Sequence, residues 1–390
     1  MRLFTFTFCC FLSLASHFGA VANTLDRAEA VAVTSPGGVR LNGILRLPTG
    51  EGPFPAAVLV PERGVDASDP NSPDNQLLNS LADYLVRQGV VVLRLHERGL
   101  GGSGGSAATT TLAERSADAI AALNYLRTRP QVDVTRLGLI GHGEGANVAL
   151  LAGAQPLAPT FLVAIAAAGL PGREVLATQP AMYGKVLGND STDAQRAHKY
   201  QLDRLAAEQE AAKMRLHGSN AAQVQTYLDQ QRLRQKAAMR RDEEALVKQQ
   251  RAMLEIVRQT PDNGQAQAIL GNMLRQRYPS IAPQDLQASV QTLTTPAYRS
   301  YLRFDPQPEL PGVKCPVLLL QGDADQQVNA TANLTALRKG LRSNARVAEL
   351  RYPNLNHVLQ FASDTPAEAA SAAFNPDTPA DIYKWISSQK

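Results

Sequence analysis

The stretch GLIGHGEGANVA, residues 138–149, sets the reading of the chain. Its apolar start, the glycines at 141, 143 and 145, and the helix-forming residues that follow describe a buried strand, a tight turn and the opening of a helix. The centre of such a turn is held at φ > 0, which costs a residue with a side chain about 1–3 kcal/mol and is open to glycine without that strain. Residue 143 is that centre. A serine there would complete G-x-S-x-G over 141–145, the strand-to-helix elbow that carries a nucleophilic serine. The glycine that stands there has no oxygen with which to attack a carbonyl.

Outward from this turn, short apolar runs alternate with helical patterns. AAVLV (56–60) and VVVLRL (90–95) are continuous runs of the kind found in strands buried on both faces. Between them, NQLLNSLADYLVRQG (75–89) puts Leu77, Leu78, Leu81 and Leu85 on one stripe and stops at Gly89. LAERSADAIAALNYLRTRP (112–130) reads as a helix closed by Pro130, RLGLIG (136–141) as a strand, ANVALLAGA (146–154) as a helix and TFLVAIAAAG (160–169) as a strand. Repeated β-α-β units of this length predict an α/β fold, a mostly parallel sheet with helices on both faces.

From about residue 181 the texture changes. Residues 193–259 contain 13 Lys/Arg and 9 Asp/Glu, enough to account for the formal net charge of +4 of the whole chain. Rich in Ala, Gln, Arg, Lys and Glu and free of proline, they predict helices with charged, wet faces. Leu246, Val247, Met253, Leu254 and Val257 form one narrow stripe for packing. A proline-rich return at 296–312 leads back to CPVLLLQG (315–322), a helix near 330–341, ARVAELRYP (345–353) and a last helix to Trp385. The expected organisation is therefore a core split into 23–180 and 296–390 by a helical insertion, 181–295, placed where a lid over an active site would be.

The 390 residues, 44% hydrophobic and 19% charged, are enough for one large core with an insertion. Residues 1–22 combine Arg2, an apolar run and Ala20-Val21-Ala22, the pattern of a cleaved secretory signal. His17 interrupts the run short of the roughly 20 apolar residues a spanning helix needs. The chain is thus expected to be exported, to the periplasm or beyond, with no stable membrane insertion after cleavage. Cleavage would leave Cys315 as the one cysteine, so no internal disulfide could form. Aromatic residues make up 5% of the chain and interleave with no basic run, which argues against nucleic-acid binding.

Four predicted strand ends carry polar groups: HERGLGGSGGS (96–106), GHGEG (141–145), GDADQQV (322–328) and PNLNHVLQ (353–360). In open parallel sheets functional groups gather beyond these ends. By TRLGLIGHGEGA (135–146), RGLGGSGG (98–105), GDADQQV and NHVLQ, the chain resembles the α/β-hydrolase superfamily, more narrowly its secreted esterase and serine-aminopeptidase-like branch. The resemblance runs from about residue 35 to the C-terminus, loosely through the insertion. It implies an α/β-hydrolase fold with a helical lid and chemistry on carboxylic ester or peptide bonds. It puts Gly143 at the nucleophile position, Asp325 rather than Asp323 at the acid position and His357 at the base position. It implies no cofactor.

Two departures from the family pattern stand out. The nucleophile is missing, and loss of such a group costs on the order of 10⁶ in kcat. The loop after AAVLV usually reads G-S-G-P and supplies an oxyanion N–H; here it is PERGVD (61–66), with bulky Glu62 and Arg63. Together they imply an inactive or very weak relative of serine esterases that retains a strand-end pocket for an ester or acyl small molecule. Asp325 and His357 would then be a leftover pair ordering two loops.

Other readings stay open beside this one. His357, oriented by Asp325, could activate water directly, or the charged insertion could serve a protein partner of unknown identity. Gly141, Gly143 and Ala146 also fit the dinucleotide pattern G-x-G-x-x-[GA], but no acidic residue follows in TFLVAIAAAGLPG (160–172) to hold a ribose. GLGGSGGS (99–106) lacks the lysine of a phosphate loop, and Ser103 within it is a poor substitute nucleophile because placement must be accurate to below an ångström. His142 and Glu144 fit the family pattern and could be structural. His198 and His217 fall on solvated helices, and no His/Cys/Asp spacing predicts a metal site.

Overall fold

The computed structural model describes residues 26–65, 69, 72–179, 191–361 and 374–389. The expected signal peptide (1–22) and the first ten residues of the expected insertion lie outside them. In chain order the elements are β1 (Asp26–Thr34), β2 (Arg40–Pro48), β3 (Phe54–Val60), α1 (Pro73–Arg87), β4 (Val91–Leu95), α2 (Leu112–Arg127), β5 (Val132–His142), α3 (Glu144–Gly153), β6 (Leu162–Ile165) and α4 (Gly172–Thr178). They continue as α5 (Ser191–Leu216), α6 (Ala221–Gln259), α7 (Asn263–Arg277), α8 (Pro283–Leu293), α9 (Pro296–Arg303), β7 (Val317–Gly322), α10 (Ala330–Gly340), β8 (Val347–Tyr352) and α11 (Asp377–Ser388).

All eight strands form one sheet in the order β1-β2-β4-β3-β5-β6-β7-β8. β2 runs antiparallel to β1 and β4, and β3 to β8 run parallel to one another. This is the α/β-hydrolase fold that the sequence predicts. From β3 the chain steps to one side for β4 and to the other for β5, so the strand order reverses between β3 and β5. The loops leaving these two strands therefore face each other across the crevice where open α/β sheets place their ligands.

The central strands are buried on both faces, which explains their continuous apolar runs. Val58, Leu139, Ala164 and Leu319 meet α2, α3 and α10 on one side through Leu123, Val148 and Leu334. Leu59, Ile140, Val163 and Leu320 meet α1 and α11 on the other through Leu78, Leu81 and Ile382. The glycines flanking the turn at 143 are set by contact. A Cβ on Gly141 would strike the Gly145 carbonyl, and one on Gly145 would strike the Val60 carbonyl, so α3 can cross β5 and β3 only with glycine at both positions.

Two expectations need correction, and one element carries none. The β1–β2 hairpin was not read from the sequence, although β2 alternates with Leu41, Gly43, Leu45 and Leu47 turned to one face. The strand read as 160–169 ends at Ile165, because Ala166 turns to φ 53°. The return at 296–312 opens as helix α9: Pro296 stands in the first turn, where its missing N–H costs nothing, and the Thr295 hydroxyl accepts from the Tyr298 N–H at 3.1 Å.

Helices α5 and α6 pair antiparallel as a long arm. At 1.5 Å per residue the 39-residue α6 is about 58 Å long, yet between 198 and 249 only Ala211 and Val224 are buried. The seam is thin. The less exposed positions include Tyr200, Ala207, Ala211 and Met214 in α5 and Val224, Leu228, Gln231, Gln235 and Ala238 in α6, the latter spaced alternately four and three residues apart, and Gln235 Nε2 donates to the Tyr200 carbonyl at 2.6 Å. Only the far end of α6 joins a core, with Met253, Leu254 and Val257 packed against Leu176 of α4 and Leu270, Leu274, Val290 and Leu302 of α7 to α9. No described helix is long and apolar enough to cross a membrane. With so few buried contacts, the arm is expected to open locally before the sheet does. Brief trypsin digestion should cut within 198–249 first; first cuts within 54–165 would contradict this account.

Candidate active site

Gly143 sits at φ 56° between β5 and α3, and its N–H donates to the Ile165 carbonyl at 2.9 Å. A Cβ built on it would lie 3.2 Å from His357 Nε2 and 3.1 Å from Glu62 Cδ. A side chain at 143 would thus point at the imidazole. His357 follows β8 and turns Nδ1 to Asp325 Oδ2 at 2.8 Å. Asp325, in the loop after β7, is fixed from three sides: its Oδ1 accepts from the N–H groups of Gln327 (2.7 Å) and Val328 (2.9 Å), and its Oδ2 accepts from Gln321 Nε2 (2.7 Å). Asp323 instead pairs with Arg351 at 2.6 Å at the surface. The structure thus brings together positions 143, 325 and 357, and leaves 323 apart.

His142, one residue before the turn, is fully buried and braces the base. Its Nε2–H donates to the His357 carbonyl at 2.9 Å, and its Nδ1 faces Asp74 Oδ1 of α1 at 2.7 Å. Glu144, one residue after, is held by Arg63 at 2.6 Å and Arg115 at 2.8 Å. Arg115 also pairs with Glu97 and donates to the Pro61 carbonyl at 2.8 Å, while Arg63 donates to the Thr110 carbonyl at 2.8 Å. Burial works against the charge on Arg115, but Glu97 and Glu144 outweigh it and raise its pKa. Burial raises Glu97 in turn, against the pull of Arg115. The loop after β3 is accordingly tied down by charge, where the family pattern has small residues and open backbone.

The residue that sequence reasoning missed is Glu62. Its bulk was noted; its charge was the signal. Carried across the β3/β5 crevice, Glu62 Oε2 lies 3.5 Å from His357 Nε2, on the side where a serine hydroxyl would be. That separation is an ion-pair contact, too long for a hydrogen bond. Burial draws the pKa of His357 down, but Asp325 and then Glu62 outweigh it and push it up to about 10. The two carboxylates thus favour the doubly protonated ring, the form that has no lone pair with which to act as a base.

The remaining residues fall outside this cluster. Ser103 Oγ accepts from the Asn42 N–H at 3.0 Å and donates to the His96 carbonyl at 3.2 Å, so its hydroxyl is engaged in loop packing. At the start of α3, where a dinucleotide pyrophosphate would need room, stands the Glu62 side chain, an unfavourable neighbour for an anion. His198 and His217 are exposed on the arm, with His217 Nδ1 against the Lys213 carbonyl at 2.7 Å.

Comparison with known proteins points to esterases. The family model described as Esterase FrsA-like matches residues 19–198, the part that carries the 143 turn. Esterase EstD of Thermotoga maritima is 35% identical over 106 residues, 27% of this chain and 25% of EstD. Esterase FrsA of Klebsiella pneumoniae is 31% identical over 153 residues, 39% of this chain and 34% of FrsA. The chain thus spans only a quarter to a third of the length of these curated relatives. Among solved structures, the Pyrococcus furiosus esterase Pf2001 superposes with a TM-score of 0.52 at 12% identity, covering 93% of this chain and 92% of that one. A hypothetical protein from Pseudomonas aeruginosa gives 0.51 at 14% identity, with 94% of each chain covered. At such identities these two speak for the fold alone. The chain thus has the α/β-hydrolase fold, and over its first half it is similar to esterases.

The raised His357 predicts a pH dependence of stability. Its pKa when folded, about 10, exceeds the unfolded value near 6.5. Its contribution is therefore fully present below about pH 6.5 and is lost as pH rises through about 10. Urea unfolding of wild type and His357→Gln between pH 6 and 10.5 should show a stability difference that shrinks with rising pH. A difference that stays flat would rule out the charged ring.

Proposed function

We propose that this chain is an exported α/β-hydrolase-fold protein that forms no acyl-enzyme and uses its strand-end crevice to bind an ester or acyl small molecule without turning it over. The observation that carries this reading is the joint state of positions 143 and 62. The nucleophile position is glycine, and the histidine that would have served it faces a carboxylate instead. Two further features support it. Arg63 is committed to Glu144, so the loop after β3 has its side chains in a salt network. His357 sits between two carboxylates that favour its charged form, which also speaks against the alternative in which His357 and Asp325 activate water.

Fluorophosphonate probes, which require an activated serine, test the reading. Wild type should not label. Gly143→Ser alone should label slowly, because the new Cβ meets Glu62 at about 3.1 Å and Glu62 still holds the imidazole. Gly143→Ser combined with Glu62→Gly should label at least tenfold faster, since the hydroxyl then meets an imidazole oriented by Asp325 alone. Labelling of wild type, or a folded double variant that stays inert, would defeat the proposal.

A second reading assigns the insertion to a protein partner. The observation that favours it is the arm, which exposes most of its described side chains between 198 and 249 to solvent. Export rests on the pattern of residues 1–22. The mass of the mature protein from the periplasmic or secreted fraction should correspond to a chain beginning at Asn23, and an intact Met1 on soluble cytoplasmic protein would count against it.

A further inference from the structure

Glu62, His142 and His357 lie 80 and 215 positions apart in sequence, and the fold gathers one ligand atom of each to within 4.8 Å of the others. His142 is fully buried and His357 is 4% exposed. His357 Nε2 is buried, faces the cluster and makes no hydrogen bond. We propose that these three residues bind a single divalent metal ion of the zinc type, seated where the serine oxygen would lie. The proposal rests on the reading of position 143 as a vacated nucleophile seat.

The geometry suits that ion. Zinc binds imidazole nitrogen at about 2.0–2.1 Å and carboxylate oxygen at about 2.0–2.2 Å, so two such ligands on a tetrahedron stand about 3.4 Å apart. His357 Nε2 and Glu62 Oε2 stand 3.5 Å apart. The His357 ring is already held from behind by Asp325 on Nδ1, the carboxylate–histidine arrangement that fixes the tautomer of a metal ligand and raises its basicity. A His142 nitrogen, within 4.8 Å of the other two ligand atoms, completes the set by drawing in to about 3.4 Å and giving up one of its two present contacts. The fourth position is left to water, facing the crevice. Nitrogen ligands with one carboxylate favour zinc over magnesium, which prefers an all-oxygen shell. Glycine at 143 is what leaves the space, since a Cβ there would come within 3.2 Å of Nε2.

The competing account is that the three groups form only a charge cluster around an imidazolium. Titration of the EDTA-treated and desalted full chain with zinc chloride, followed by calorimetry and elemental analysis, separates the two. One zinc per chain is expected, with no binding of magnesium chloride. Glu62→Gln and His357→Gln should each weaken binding at least tenfold, and Asp325→Asn, which touches no metal, by about 10–100-fold. Gly143→Ala keeps every ligand but places a methyl group in the ion's volume, and should also weaken binding tenfold or more. A folded wild type that binds no zinc, or zinc binding unchanged by Glu62→Gln and His357→Gln, overturns the proposal. Absence of zinc with absence of fluorophosphonate labelling would leave the non-catalytic reading standing, whereas labelling of wild type would remove the vacated seat itself.

Discussion

The arrangement at the strand ends depends on one imidazole held between two carboxylates. Asp325 alone would orient His357 and leave Nε2 for a nucleophile's proton. Adding Glu62 on the far side turns an orienting contact into an enclosed ion triad, with the charge of the ring matched on both sides. The two departures from the family pattern are thereby a single structural fact. Glycine at 143 removes the side chain that would crowd Glu62, and Glu62 brings a charged partner to the ring nitrogen that the missing serine would have faced. Either change without the other would leave a close contact or a buried nitrogen without an electrostatic partner, and the second is the kind of defect that costs about 1–3 kcal/mol.

What brings residues 62 and 143 together is topology, and it explains which parts of the site were legible in the sequence. The elbow, Asp325 and His357 each sit in a local pattern: glycines at fixed spacing, a turn rich in Asp, a histidine after a strand. Those patterns are short-range, and the structure assembles all three. Glu62 carries no such local mark. Its meaning depends on the reversal of strand order between β3 and β5, and on which side chain of the loop after β3 turns inward. The same limit hid Glu62 and His142 as possible metal ligands, since no sequence spacing links positions 62, 142 and 357. Within the fold, the central strands were legible because burial on both faces makes them uniformly apolar. The β1–β2 hairpin was passed over because Arg40, Asn42 and Arg46 break the apolar run, although alternation is what an edge hairpin requires. Helix α9 is hidden by the prolines of the 296–312 stretch, of which Pro296 opens the helix and the others follow it.

The insertion follows a different physics from the core. Its arm is held by helix propensity, by the capping box that Asn220 and Gln223 form with each other's backbone at 2.9 Å, and by short-range pairs such as Arg240 with Glu244. Pairs of this kind contribute a few tenths of a kcal/mol each, and the Ala- and Gln-rich seam adds little apolar burial. Long-range order is confined to the base, where Met253, Leu254 and Val257 enter a cluster with α4 and α7 to α9. Charged composition thus forecast the helices correctly, but composition cannot say where along a helix the packing is.

The Asp325–His357 pair and the Arg115 network bear on why a site without a nucleophile would keep its acid and base. Deleting one member of a buried ion pair strands the other, at a cost of about 3–5 kcal/mol, whereas the complete set is close to neutral in stability. Arg115 holds Glu97 and Glu144; Glu144 holds Arg63; Asp325 and Glu62 enclose His357. Stepwise loss from such a set passes through intermediates carrying an uncompensated buried charge, a loss comparable to much of a domain's net stability of about 5–15 kcal/mol. Under the proposed non-catalytic reading, Asp325 and His357 therefore need no chemistry to persist. Their presence records the cost of removing them one at a time, and the informative positions for function are the two that changed, 62 and 143.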